Sequence, residues 1–381
     1  MLRCRKILAS LAVIFSVILF AVSCNKDIDF GFKDLCFYHP HTAPIKVNVD
    51  WSFFRHLERP TGMSVNVWSQ LHPDENYTFL THNLNSVNLN LEAGMYNAFV
   101  YNQSETEYST IQFHNLGDFN KAEARVIEVK SNWLNTKLPT TKVGAEPEWL
   151  AIDCVRDIEV TEEMVDKAEA EYLATLPETN KQLQQQKSSR DGARTENEVG
   201  PLVPKSIIKN LDIYVHIENL PYLRSALGAV ADMAEGCYIS TCKPTERHIT
   251  HTVGTWGIVY DRTPSGGVDM MKGAIKVSLS TFGLPAGHTG APEDNNLYIR
   301  LLLVDNATIL EKNFPIGDLI ADLNNYDGTQ LDEKGAPIWP ELHVTWPEPL
   351  PEVEAVGSGS GGFDVGVSDW GEDITTILPM M

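Results

Sequence analysis

Residues whose types support chemistry are few in this chain of 381. Cys237-x4-Cys242-x5-His248-x2-His251 assembles four side chains of the zinc-ligand kind. Structural zinc motifs separate the Cys pair from the His pair by about a dozen residues. Here five intervene, and the two histidines are closer than usual. If 247–251 is a strand, its period of two sets His248 and His251 on opposite faces. Solvent-facing His and ordinary core Cys is therefore the better reading, and no metal is expected. Glu162 and Glu163 are neighbouring carboxylates of the acid–base type, but a place in a first helical turn accounts for them without catalysis. His39 and His41 flank Pro40 with no third ligand to name, which favours a rigid strand start. The serines at 358–360 are out of step with G-x-S-x-G, and phosphate-loop, H-E-x-x-H and EF-hand spacings do not occur. Glu293-Asp294-Asn295-Asn296 offers oxygen ligands for calcium, yet a solvated turn is the commoner use of such residues. The expectation is no catalytic set and no cofactor. Trp133, Trp149, Trp256, Trp339, Trp346 and Trp370 remain. Coplanar on one surface they would stack sugar rings; capping a sandwich core is their ordinary use.

One residue is placed for covalent modification. Arg3, Arg5 and Lys6 open the chain, and Ile7 to Val22 is an uncharged run of sixteen residues. Ala21-Val22-Ser23-Cys24 closes it with a small residue before a cysteine, and polar Asn25-Lys26-Asp27 follows. Ala21 stands where Leu is commoner. As a helix the run reaches about 24 Å, short of the ~30 Å hydrocarbon core, so a cleaved signal fits better than a permanent span. Residues 1–23 read as a lipoprotein signal peptide, Cys24 as the lipidated residue, and 24–40 as a tether leading to the first strand.

Without residues 1–23 the chain keeps 358 residues with 27 basic and 51 acidic side chains, a net charge of −24 against −21 for the whole. Such a charge repels nucleic acid, and no basic cluster offsets it, which excludes a nucleic-acid partner. A hydrophobic share of 43% with eight Trp suffices for real cores. Cys4 leaves with the signal. Cys36, Cys154, Cys237 and Cys242 then allow three pairings between them. Local pairing stands beside four buried free thiols; a domain of this size does not need staples.

These residues must be carried by strands. Ile45 to Trp51 and Met63 to Trp68 alternate apolar and polar residues, as do Ser86–Leu91 and Met95–Tyr101 around the Glu92-Ala93-Gly94 turn. Ile111–Phe113 and Ala124–Val129 add two more, which argues for an antiparallel sandwich. Thr161 to Leu176 changes period: Met164, Ala168, Tyr172 and Leu176 make one helical stripe that Pro177 ends. Residues 178–200 are rich in Gln, Ser, Glu and Arg and read as a linker. Ile207 to Ile217, 249–261, 271–282, 296–304 and Leu342–Trp346 are expected strands, and Ala-rich Leu220 to Ala234 a short helix. A Gly/Ser joint at 357–362 precedes a last strand, Phe363–Val367. That strand either completes its own sandwich or is donated to a neighbour. The fold class is all-β, two antiparallel β-sandwich domains in tandem: 41–160, then a helix and polar linker over 161–204, then 205–381. Limited proteolysis is expected to cut the linker and release two β-rich fragments.

Leu91-Glu92-Ala93-Gly94-Met95-Tyr96-Asn97-Ala98-Phe99-Val100-Tyr101-Asn102 resembles the L-x-x-G-x-Y-x-x-x-x-Y-N strand of fimbrillin-related lipoproteins of the Bacteroidales. Cys36-Phe37-Tyr38-His39-Pro40-His41-Thr42 is similar to the start of an uncharacterised lipoprotein family allied to the minor-fimbrium anchor proteins. So are Glu148-Trp149-Leu150, Tyr214 to Leu220 and Gly362 to Trp370. The resemblance implies two transthyretin-like sandwiches in an outer-membrane lipoprotein that faces the cell surface, and Lys26-Asp27-Ile28-Asp29 is similar to the signals that direct such lipoproteins there. It also implies a non-catalytic fimbrial anchor or assembly subunit whose partners are fimbrial subunits, joined by an exchanged strand. A surface glycan-binding lipoprotein is the alternative.

Lipidation has a direct test. Cys24→Ala should abolish incorporation of labelled palmitate and release the protein from membranes; unchanged labelling refutes the assignment.

Overall fold

The computed structural model describes residues 41–52, 60–72, 75–137, 141–175, 197–333 and 337–356. Cys24, Cys36, His39, residues 178–196 of the polar stretch and the strand expected at 363–367 lie outside the described residues. Among the described residues no helix is long and apolar enough to cross a membrane.

The described chain is all-β with two α-helices. Its first half supplies β1 (Ala43–Val49), β2 (Met63–Ser69), β3 (Asn76–Thr81), β4 (Ser86–Leu91), β5 (Gly94–Asn102), β6 (Ile111–His114), β7 (Glu123–Val126), β8 (Val143–Gly144) and β9 (Ala151–Val160). Helix α1 (Asn132–Lys137) stands between β7 and β8, and α2 (Glu162–Thr175) follows β9. The second half supplies β10 (Asn197–Leu202), β11 (Lys205–Ser206), β12 (Lys209–Glu218), β13 (Leu223–Ala234), β14 (Gly236–Tyr238), β15 (Lys243–Pro244) and β16 (His248–Val253). It ends with β17 (Gly257–Arg262), β18 (Val268–Thr281), β19 (Asn296–Leu303), β20 (Ile309–Pro315) and β21 (Glu341–Thr345). Pairing is chiefly antiparallel; β12–β21 and β16–β8 run parallel.

Two sandwiches form: in the second, alternating strands such as β12 and β19 bury one face each, whereas in the first β2 is buried at all seven positions. In the first, sheet β11–β9–β5–β2–β3 faces sheet β15–β14–β7–β6. Trp68, Phe99, Tyr101, Ile111, Val126 and Ile152 fill the space between them. In the second, β17–β18–β12–β21 faces β20–β19–β13–β16–β8. There Leu211, Ile213, Val215 and Ile217 of β12 meet Leu297, Ile299, Leu301 and Leu303 of β19. Each such side chain contributes about 1.5–3 kcal/mol by leaving water.

The sandwiches do not follow the order of the chain. Hairpin β14–β15 belongs to the second half but completes the first sandwich through β14–β7 pairing. Strand β8 precedes the polar stretch but completes a sheet of the second sandwich by pairing with β16. The chain leaves the second sandwich after β13, makes this excursion through the first, and returns as β16. Gly236 sits at the departure, where a Cβ would lie 2.3 Å from Ala124 O, so the close approach of β14 to β7 requires glycine. Glu235 and Arg247 flank the excursion. Glu235 N–H donates to Arg247 O at 2.9 Å, and Arg247 Nε donates to the Glu235 carboxylate at 2.6 Å. Arg247 also bridges to Glu123 on β7, whose second partner is Arg125 Nε at 2.7 Å. Burial would raise Glu123; Arg125 and Arg247 outweigh it and hold this carboxyl below its ordinary range.

Region 220–234 corrects the sequence expectation of a short helix: after a single 3-10 turn at Leu220–Tyr222 it is the twelve-residue strand β13. Its small residues serve sheet packing. At Gly228 a Cβ would lie 2.6 Å from both Trp256 Cζ2 and Val253 Cγ2, so small size admits the Trp256 ring. Tertiary packing overrides local propensity there.

By compactness the chain divides into a small and a large unit. The small one comprises the described residues of Met1–Lys46, Asn88–Met95 and Glu159–Glu198. It buries Ala43, Ile45, Leu89, Leu91, Val160 and Val165, and Lys46 Nζ meets Glu198 Oε1 at 3.2 Å. The large unit holds both sandwich cores described above.

The exchanged strands alter the outcome expected of proteolysis. Trypsin acting at Lys181, Lys187, Arg190 or Arg194 should nick the chain, and the two pieces should co-elute by size exclusion under native conditions. Pairs β7–β14 and β8–β16 hold them together. Separation without denaturant contradicts the crossed arrangement.

Candidate functional site

The Cys–His motif is dispersed by the fold. Cys237 is buried in the first sandwich core, and Cys242 lies in the turn after β14 with its Sγ 3.7 Å from Ile239 O. His248 is exposed with Nδ1 3.5 Å from Asp232 Oδ1. His251 is fully buried, its Nδ1 3.0 Å from Ala145 O. Among the described residues no three His, Cys, Asp or Glu side chains form a group that could hold a metal. Glu162 and Glu163 occupy the exposed first turn of α2, and His41 Nδ1 lies 3.7 Å from Glu169 Oε2. Asp294 accepts from Thr289 N–H and O–H, each at 2.7 Å. Buried Asn295 donates to Ala231 O and Asp232 O, so this cluster pins a loop to a bulge in β13. Trp133, Trp256 and Trp346 are buried as core caps, Trp149 and Trp339 are half-buried, and Trp370 lies outside the described residues.

The family motif has a structural meaning. Tyr96 and Tyr101 are buried on β5, and Asn102 at its end works as a latch. Its Nδ2 donates to Trp149 O at 3.1 Å and its Oδ1 accepts from Ala151 N–H at 2.7 Å, tying β5 to the start of β9. Glu148 in the same segment accepts four bonds from Ser109 and Thr110 through one oxygen. Burial would raise this carboxyl; those donors hold it below its usual range.

What the surface offers is an edge. Strand β17 ends its sheet, with β18 as its neighbour among the described residues. A terminal strand presents N–H and C=O groups to an incoming strand. Thr263-Pro264-Ser265-Gly266-Gly267 forms the tip of the β17–β18 hairpin, closed by Thr263 N–H to Gly267 O at 2.9 Å, with Gly266 at φ +84°. Around that hairpin Val259, Tyr260, Val268, Met270 and Met271 are exposed. Residues Gly257 to Tyr260 carry no charge and the charges of β17, Asp261 and Arg262, stand at its end, whereas the edge strand β20 carries Glu311 and Lys312 near its middle. Charges on an edge discourage strand addition, so β17 is the more receptive of the two.

A second surface feature is an aromatic ladder on the outward face of β12 and β21, which sequence reasoning missed. Tyr214 and His343 are in register across the parallel pair, stacked with centroids 4.6 Å apart and planes 8° apart. His216 Nε2 lies 3.0 Å from His343 Nδ1, and Lys276 Nζ sits 4.8 Å over the Tyr214 ring. Lys276 also pairs with Asp212 at 2.7 Å. Lys276 and His343 thus occupy the faces of Tyr214, so the ladder satisfies itself. Its signal lay in the polar positions of the two alternating strands.

A family model described as "Domain of unknown function (DUF5119)" matches residues 31–254, more than half of the chain. No curated protein matches the sequence. Among solved structures, the fold is similar to that of a candidate adhesin from Bacteroides ovatus, with 12% identity, a TM-score of 0.47 and coverage of 81% of this chain and 94% of that one. A candidate adhesin from Bacteroides thetaiotaomicron gives 11% identity, a TM-score of 0.47 and coverage of 81% and 93%. The fimbrial anchor protein Mfa2 from Porphyromonas gingivalis gives 9%, 0.36 and coverage of 80% and 90%.

His251 generates a pH prediction. Burial lowers it from 6.5 to about 4, against hydrogen bonds to the Ala145 and Gly144 carbonyls that act the other way. A base depressed by folding leaves stability unchanged above its unfolded pKa. As pH falls from about 6.5 to about 4 the unfolded chain takes up a proton that the folded one refuses, at a cost of about 3 kcal/mol. Urea unfolding at pH 7.5 and 4.5 should show a smaller loss in His251→Asn than in the parent, a difference that cancels the carboxylates common to both. Equal losses would remove His251 as the cause.

Proposed function

The chain belongs to the family described as a domain of unknown function (DUF5119), and we propose that it serves as a non-catalytic cell-surface lipoprotein, a fimbrial anchor or assembly subunit that joins its partners by strand pairing. The observation that carries this reading is β17, an uncharged edge over Gly257–Tyr260 bordered by exposed apolar side chains. Main-chain hydrogen bonds along such an edge supply affinity, and side chains on alternate positions supply selectivity. The resemblance of Leu91 to Asn102 to fimbrillin-related lipoproteins supports the class of partner.

Anchoring through lipid on Cys24, outer-membrane location and outward orientation belong to the same proposal. A di- or triacylated cysteine would hold the chain durably, at ~0.8 kcal/mol per buried CH₂. The domain limits 41–160 and 205–381, around 161–204, are proposed with it, β8 and β14–β15 being exchanged across them.

Val259→Lys and Tyr260→Lys test the edge. Both sites are exposed, so each variant should keep its folding stability to within about 0.5 kcal/mol. Recovery of fimbrial subunits with the protein from solubilised membranes should fall by about tenfold, equivalent to ~1.4 kcal/mol of association. Undiminished recovery rejects β17 as the joining strand. Retention on a polysaccharide gel together with no fimbrial partner would put the glycan-binding alternative in its place.

A further inference from the structure

Three thiols converge where the excursion hairpin meets β9. Cys154 on β9 donates its S–H to Ser240 O at 3.5 Å, and Cys242 donates to Ile239 O at 3.7 Å. Their sulfurs therefore lie against consecutive carbonyls of one turn, the turn that joins β14 to β15. Cys237 opens that hairpin, opposite Pro244, with its Sγ 3.6 Å from Tyr238 O. The electrostatics describe the same neighbourhood: beyond burial, Cys154 is the largest influence on Cys242, and Cys242 on Cys237. Cys242 stands between the other two. Access separates them, since Cys237 is 1% exposed while Cys154 is partly exposed and Cys242 is an exposed residue whose sulfur is tucked against the turn. An oxidant reaching this end of the sandwich meets Cys242 and Cys154 and not Cys237.

We propose that Cys154 and Cys242 are the partners of a disulfide that staples the β14–β15 excursion to β9, with Cys237 remaining a buried thiol. The oxidant is of the disulfide class. Cys242 gives up its proton and attacks one sulfur of the oxidant, forming a mixed disulfide and releasing one thiolate. Cys154, deprotonated in turn, attacks the Cys242 sulfur and releases the second. Two electrons pass to the oxidant, and the two protons end on its two thiols. Burial raises the Cys242 thiol to about 11, so exchange should quicken about tenfold per pH unit below that value. In the cell the bond rests on the export reading, because disulfides persist in oxidising compartments.

The test uses the full chain, reduced and then exposed to oxidised glutathione. Remaining thiols are alkylated and the protein is digested without reductant. Cleavage after Tyr238 as well as at Lys and Arg separates Cys237 from Cys242. Mass spectrometry should find the Cys154 and Cys242 peptides joined and lighter by two hydrogens, with Cys237 alkylated after denaturation. Cys237→Ser should keep the link and Cys242→Ser should lose it. In protein nicked within 178–196, the pieces should run as one band on a denaturing gel without reductant and as two with it. Cys242 joined to Cys237 or Cys36, or both Cys154 and Cys242 alkylated after oxidation, overturns the proposal. A link formed by glutathione in protein whose thiols are free when taken from cells upholds the pair and counts against export to an oxidising compartment.

Discussion

Glu235 and Arg247 govern the point at which the chain departs one sandwich and returns to it. Between them lies the β14–β15 hairpin, which supplies Cys237 and Ile239 to the core of the other sandwich. Glu123 and Glu235 are each 5% exposed, and both pair with Arg247. Taking such charges from water is costly, and apolar residues of the same size could match the net stability. Losing one partner is a different matter: a stranded charge costs about 3–5 kcal/mol. The network therefore selects one path for the chain more than it adds stability. It admits a β13 that turns away at Glu235 and a β16 that starts beyond Arg247, and it penalises any other register of β14 on β7.

Lys142 extends this control to the other exchanged strand. It reaches Glu128 at 2.8 Å and Glu235 at 3.2 Å, and the two carboxylates raise it above its ordinary range. Its carbonyl accepts Thr250 N–H at 2.9 Å, beside the parallel pairing of Val143 with Thr250. Strand β8 is two residues long and could not hold its place alone. The same ions that bracket the hairpin's excursion thus bracket the return excursion of β8, and the two exchanges are one device.

How much of this was legible in the sequence depends on the range of the signal. Strands with period-two alternation and one buried face, such as β4, β12 and β19, stand where alternation put them, because that pattern is local. Strand β13 was misread because Ala and Gly favour neither face, and its reason for small residues is the Trp256 ring, far along the chain. Strand β9 went unread: Asp153 and Asp157 interrupt its apolar positions, and Asp157 takes φ +58° in mid-strand. Strands β8, β11, β14 and β15, of two or three residues, are too short to carry a period. Of the candidate sites, opposite faces for His248 and His251 followed from strand period alone. The approach of Cys154 to Cys242 did not, since it requires knowing that a hairpin from the second half completes the first sandwich.

The charge of the chain bears on how a surface like that of β17 can act. At −21, two copies repel at distances beyond the Debye length only weakly, about 8 Å at physiological salt, but repel strongly as their surfaces close. Side-chain attraction between like copies is therefore a poor basis for association. A strand edge is different, because its hydrogen bonds are neutral, directional and indifferent to net charge. Strand β17 leaves Gly257–Tyr260 uncharged before Asp261 and Arg262, while the terminal strand β20 of the facing sheet keeps Glu311 and Lys312 near its middle. On the proposed strand-pairing function, the acidic surface would suppress unspecific clustering and the uncharged stretch of β17 would set where a partner strand is received.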